Sequence, residues 1–229
     1  FNALWRLYDT GIIIVPITGR PAGWCDHIAR MWPVTAVVGE NGAFYFQMKN
    51  GRLVKQYLSQ DIERKESLRK LEMIRKEVLQ RYPQAALASD QSYREFDLAI
   101  DFCEDVLPLP REDVLDIYRI FKRHGAKAKI SSIHVNGWFG NYTKFDGIHF
   151  FAEKELDCNL EKHQESFIFC GDSPNDEPLF HFFYNSVGVA NVLEFKDLLE
   201  HMPRYLTPKR SGAGFAQLAA HLAIGLKKM

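Results

Sequence analysis

Ile168-Phe169-Cys170-Gly171-Asp172-Ser173-Pro174-Asn175-Asp176 is the stretch on which the fold of this chain turns. Phe167 to Cys170 has the length and composition of a buried strand, and the run breaks at Gly171 into two aspartates and an asparagine. In an open parallel sheet, ligands bind beyond the carboxyl ends of the strands, so carboxylates released there are placed for function. A helix cap explains Asp172 or Ser173, but not Asn175 and Asp176 as well.

Working outward, Gly11 to Ile17 is a β-branched run closed by Thr18-Gly19-Arg20-Pro21, which predicts a strand, a polar turn and a helix running to about Met31. Val34 to Val38 predicts a second core strand ending in Glu40-Asn41-Gly42. Strand, helix and strand imply parallel pairing. Asn50-Gly51 between Ala43 to Met48 and Arg52 to Leu58 predicts a hairpin. Amphipathic helices are expected at Asp61 to Arg81 and Arg111 to His124, with short strands at Ala85 to Ala88, Asp97 to Cys103, Lys127 to Ser131 and Ile133 to Phe139. The parallel α/β rhythm resumes with a helix from Lys144, strands at Phe167 and Val187, a helix around Val192 to Glu200, a brief Tyr205-Leu206 strand and a terminal helix from Gly214. The expected architecture is an α/β core of residues 1–43 and 141–229, interrupted by an inserted α+β unit of residues 44–140.

Composition bounds the function. The 229 residues include 29 Lys+Arg and 29 Asp+Glu, so no basic excess points to nucleic acid. No apolar stretch reaches the roughly 18 to 20 residues of a membrane span. The four cysteines form no Cys-x-x-Cys pair, which suits reduced thiols and a cytoplasmic setting. A small-molecule ligand is expected. Its chemistry follows from four polar elements at strand ends or loops: Thr18-Gly19-Arg20, Glu40-Asn41-Gly42, Lys144, and Asp172 with Asn175-Asp176. A hydroxyl and backbone N–H groups can hold phosphate oxygens, a lysine adds a point charge, and paired carboxylates suit Mg²⁺. These are the parts of a phosphoryl-transfer site.

The order Thr-Gly-Arg, Asn-Gly-Ala, a lone lysine, then Gly-Asp-Ser-Pro-Asn-Asp resembles the haloacid dehalogenase superfamily of phosphatases, in the branch with a large α/β cap. The likeness spans essentially the whole chain. It implies a three-layer Rossmann-like core with a parallel sheet, and a cap similar to those of sucrose-phosphate, mannosyl-phosphoglycerate and Cof-type phosphatases and of phosphomannomutases. By that resemblance Thr18, with Gly19 and Arg20, binds the phosphoryl group, and Lys144 neutralises it. Asp172 holds Mg²⁺, Asp176 touches the metal or its water, and Asn175 hydrogen-bonds near the lysine or phosphate.

One departure is serious. The family's aspartate nucleophile and the acid two residues later lie on a first core strand that would precede Phe1, and no Asp-x-Asp followed by Gly-Thr occurs in these residues. The helical pattern of Phe1, Leu4, Trp5 and Tyr8 begins in mid-element, so an upstream strand is expected to carry the motif. The resemblance implies a Mg²⁺-dependent phosphatase of a sugar phosphate or phosphorylated glycoside. The alternatives are a phosphomutase on the same core and a non-catalytic module for phosphorylated ligands. Substrate contacts are expected from Asn41 and from the inserted unit: Arg94 as a clamp for a carboxylate or second phosphate, and Ser132, His134 and Asn136 along one face of its sheet.

Overall fold

The computed structural model of the chain describes residues 1–131 and 133–226. Its first helix, α1 (Asn2–Tyr8), packs against its last, α7 (Ser211–Leu226). Residues 12–17 run extended beside β1 (Val37–Gly39) in parallel, with Val38 N–H donating to the Pro16 carbonyl and Thr18 N–H to the Val38 carbonyl, both at 2.9 Å. The full strand expected from Gly11 to Ile17 is not formed; a single bridge, Ile17 to Val38, remains. One reason lies in Pro16, which faces β1 and accepts from Val38 N but has no N–H to return to the ladder; on the other edge, among the described residues, nothing hydrogen-bonds the backbone groups of Ile13, Val15 or Ile17.

After α2 (Ala22–Met31) and β1, the predicted hairpin forms from β2 (Phe44–Lys49) and β3 (Arg52–Tyr57), turning at Asn50 and Gly51, both with positive φ. It does not open the inserted unit as expected. β2 pairs antiparallel with β1 through Val37↔Phe46 and Gly39↔Phe44, so the border placed at 43/44 cuts a continuous ladder. Burial explains this: Tyr45 packs on one side among Ile148, Phe151 and Phe169, while Phe44 and Phe46 pack on the other with Ala22 and Cys25. A strand covered on both faces belongs inside a core sheet.

The inserted unit comprises α3 (Asp61–Arg81), β4 (Ala86–Leu87), β5 (Asp97–Asp101), α4 (Arg111–Arg123), β6 (Lys127–Ile130) and β7 (His134–Trp138). Its four strands form one antiparallel sheet in the order β4-β5-β7-β6. Period-two alternation divides its faces. Leu98, Ile100, Val135 and Ala128 pack on Ile74, Val78, Ile117 and Phe121 of α3 and α4, leaving Asp97, Asp101, His134, Asn136, Lys127 and Lys129 on the other face.

The chain then returns through α5 (Lys144–Leu156), β8 (Ile168–Gly171), α6 (Glu177–Phe182), β9 (Asn185–Gly188) and β10 (Tyr205–Leu206) to α7. β8, β9 and β10 pair in parallel, as the α/β rhythm predicts. The helix expected near Val192 is instead a run of 3-10 turns, Ala190–Leu198. No helix among the described residues is long and apolar enough to cross a membrane.

A buried carboxylate ties insert to core. Glu40 is fully buried; its Oε1 accepts from Ala22 N and Glu95 N, each at 2.9 Å, and its Oε2 from Phe96 N at 2.6 Å and Asp97 N at 3.1 Å. Ala22 opens α2 of the core, and Asp97 opens β5 of the insert. Burial, then the neighbouring Asp97 charge, push the Glu40 carboxyl up to about 8 against the pull of these donors. A folded-state value above the unfolded one means that the folded protein holds the extra proton, so this contribution is complete below the unfolded value of 4.5 and is lost as pH rises toward 8. Thermal unfolding should therefore show falling stability across that interval. Glu40→Gln should flatten the slope and lower stability at acid pH, because an amide nitrogen then faces backbone N–H donors at a cost of about 1–3 kcal/mol, with the gap to the unsubstituted protein closing as pH rises toward 8.

Candidate active site

The acidic end is built around Asp176. β8 stops at Gly171, where an added Cβ would lie 2.8 Å from the Asp176 Cβ and Oδ2; only a glycine lets that side chain fold back. Asp176 is buried. Its Oδ2 accepts from Asp172 N at 3.0 Å and from Ser173 N and Oγ at 3.3 Å, and its Oδ1 accepts from Lys144 Nζ at 2.7 Å. Asp172 is left open to solvent. Loss of hydration in the cleft, then the Asp176 charge, raise its carboxyl above the ordinary range, with Lys144 opposing.

Lys144 is the first residue of α5, behind a capping box in which Thr143 N and Oγ1 donate to Asp146 Oδ2 at 2.7 Å. The turn at Glu40–Gly42 presses on this helix start. Gly42 has φ 107°, and a Cβ there would stand 1.9 Å from the Thr143 carbonyl oxygen. Thr18 closes the opposite wall, its Oγ1 accepting from Arg20 N at 3.0 Å. Asn41 has φ 59° and sets its amide behind Gly19, 3.1 Å from where a Cβ would stand.

Thr18, Gly19, Lys144, Asp172 and Asp176 thus line one end of a single cavity of about 1540 Å³. The rest of that cavity is an apolar slot between residues 12–17 and β8, walled by α5 on one side and by α1 and α7 on the other. β8 has a neighbour on one side only, so its free edge faces the slot as well.

Other sequence candidates lie elsewhere. Arg20 is exposed and stacks over Trp24 at 5.1 Å, and Asn175 is exposed with no hydrogen bond among the described residues. Arg94 cannot clamp a substrate. Its side chain is 3% exposed, with guanidinium nitrogens 2.9 Å from Asp90 Oδ1 and 2.8 Å from Asp97 Oδ1. His134 is buried with Nε2 2.8 Å from Glu104 Oε2, and Asn136 lies beside the Asp97 carboxylate, so both serve the insert internally. Ser132 lies outside the described residues. Sequence reasoning missed Glu40 and Asp97 as buried carboxylates; their signal, an acid inside an apolar strand context, equally fits a solvated strand end.

Among the described residues no cluster of three or more Asp, Glu, His and Cys side chains is assembled for a metal. The donors present still suit Mg²⁺, which takes one or two carboxylates and completes its shell with water and phosphate oxygens. Asp172 offers the open carboxylate, since both Asp176 oxygens are engaged.

No protein-family profile matches the sequence, and no curated protein matches it. Solved structures do match the fold. The Thermoplasma acidophilum protein 0175 superposes with TM-score 0.68 at 16% identity, covering 100% of this chain and 90% of that one. A haloacid dehalogenase subclass IIB sugar phosphatase follows with TM-score 0.64 at 12% identity over 97% and 90% of the two chains. The chain has the haloacid dehalogenase hydrolase fold. A trehalose-6-phosphate phosphatase related protein matches it too, with TM-score 0.61 at 14% identity over 99% of this chain and 88% of that chain. Within this fold, chemistry belongs to side chains and has to be argued from them.

Arg94→Ala should act on stability. Leaving Asp97 buried without its partner is expected to cost about 3–5 kcal/mol in urea unfolding, whereas a surface clamp would cost almost nothing.

Proposed function

We propose that this chain forms the phosphate- and metal-binding body of a Mg²⁺-dependent phosphomonoesterase acting on a small phosphorylated metabolite of the sugar phosphate or phosphorylated glycoside type. The observation that carries this reading is the convergence of Thr18, Lys144 and Asp172, from three distant parts of the chain, on one end of one cavity. The matched structures described as a sugar phosphatase and a trehalose-6-phosphate phosphatase related protein support the class.

In this reading the Thr18 hydroxyl and the Gly19 backbone hold phosphoryl oxygens, and the Lys144 ammonium lies beside them, kept in place by Asp176. Mg²⁺ on Asp172 would supply neutralising charge and polarise the phosphoryl oxygens. The attacking carboxylate is assigned to a strand seated in the slot. Residues 12–17 and β8 both present free edges there, and both run with their carboxyl ends at Thr18 and Asp172. A parallel strand between them delivers its last residues to the polar end. A carboxylate oxygen then bonds to phosphorus as the ester P–O bond breaks, a second carboxyl group gives its proton to the leaving oxygen, and water hydrolyses the acyl phosphate.

Calorimetric titration of inorganic phosphate with Mg²⁺ present tests the core of this reading. Lys144→Ala should weaken binding at least tenfold, and Asp172→Asn should remove its dependence on Mg²⁺. Phosphate affinity indifferent to both substitutions would overturn the assignment.

A further inference from the structure

We infer that the inserted unit carries a second anion subsite on Lys127 and Lys129 of β6, and that the substrate is a phosphomonoester bearing another acidic group. The inference rests on the phosphoryl-transfer reading of the Thr18, Lys144 and Asp172 site and names its substrate class more closely.

Register places the two lysines. Lys127 stands opposite Trp138 and Lys129 opposite Asn136, so both side chains leave the sheet on the face away from α3 and α4. Two positions along one strand are about 6.6 Å apart, a spacing that lets two ammonium groups flank one anion. Lys127 Nζ reaches the Tyr142 carbonyl at 3.4 Å, two residues before Lys144, which sets the strand alongside the start of α5. Lys129 lies further along β6, exposed at its end, within the field of both Lys144 and Asp176.

Other cations of this region are already engaged. Arg94 is locked between Asp90 and Asp97, and Lys55 pairs with Glu95 at 3.2 Å. Among the described residues no carboxylate forms an ion pair with Lys129. Lys129 thus shares a sheet face with Lys127 and has no carboxylate of its own among the described residues, and an anionic ligand group would pair with both ammoniums. A neutral sugar ring calls for mixed donors and acceptors, whereas a lysine offers donors only.

Calorimetry with Mg²⁺ present and two ligand pairs tests the subsite: glycerol 3-phosphate against 3-phosphoglycerate, and fructose 6-phosphate against fructose 1,6-bisphosphate. One doubly acidic ligand should bind at least tenfold tighter than its partner, and the pair that does so tells carboxylate from phosphate. Lys129→Met, which keeps the aliphatic stem of an exposed residue, should collapse that ratio toward one. Equal affinities within both pairs, or a preference that survives Lys127→Met and Lys129→Met, would overturn the subsite. The core site then still stands if Lys144→Ala weakens glycerol 3-phosphate binding, whereas no binding of any ligand defeats both readings.

Discussion

The Asp176 carboxylate decides what the rest of the acidic end can do. It binds the Lys144 ammonium with one oxygen and gathers the Asp172 and Ser173 donors on the other, so strand end, loop and helix start share one buried group. Asp172 is thereby the carboxylate left open. Two carboxylates, Asp172 and Asp176, against the one ammonium of Lys144 leave one negative charge where the proposed phosphate would sit. Lys144 alone cannot reverse that sign, and a divalent cation on Asp172 can. On the proposed phosphate reading, this charge balance is what a metal ion on Asp172 would offset.

The second constraint is the pair of facing strand edges. Backbone N–H and C=O groups need partners, and an open edge invites another strand. Here the core sheet is divided into a half containing residues 12–17, β1, β2 and β3 and a half containing β8, β9 and β10, yet one apolar cluster runs beneath both. Val15, Ile17, Val38 and Tyr45 from the first half join Phe169 of the second half and Leu179 of α6 through Ile148, Phe151 and Ala152 of α5. The helix that carries Lys144 holds the halves in register across the slot, which keeps Thr18 and Asp172 facing each other without a strand between them.

Much of this was legible in the sequence because local signals and tertiary structure agree. Asn50-Gly51 made its turn, the spacing of Leu68, Leu71, Ile74 and Val78 made α3, and Gly171 released its acids at a strand end. The hairpin's allegiance was not legible. Phe44, Tyr45 and Phe46 read as a strand wherever they pack, and only their two-sided burial assigns them to the core. Arg94 illustrates a different limit. A polar loop residue beside a cleft and a buried ion-pair partner have the same local sequence, and the distinction lies in Asp90 and Asp97 turning inward. Lys127 and Lys129 went unnoticed because strand lysines usually face water. Their meaning depends on which core group the sheet face overlooks.

That orientation traces back to Glu40. Its carboxylate grips the backbone at Glu95, Phe96 and Asp97, where β5 begins, and β5 passes its position to β7 through Asp97↔Trp138 and on to β6 through Trp138↔Lys127. Hydrogen-bonded ladders are stiff across two strands, so the lysine row is set relative to Lys144 by a carboxylate belonging to the core. The same turn, Glu40–Gly42, presses on Thr143 and fixes the start of α5. One strained loop, with φ of 40°, 59° and 107° at three successive residues, therefore sets both cationic walls of the cleft. Loosening the Glu40 grip would shift one wall against the other, so the spacing between the proposed phosphate site and the inferred second anion site is tied to the same buried carboxylate that joins insert to core.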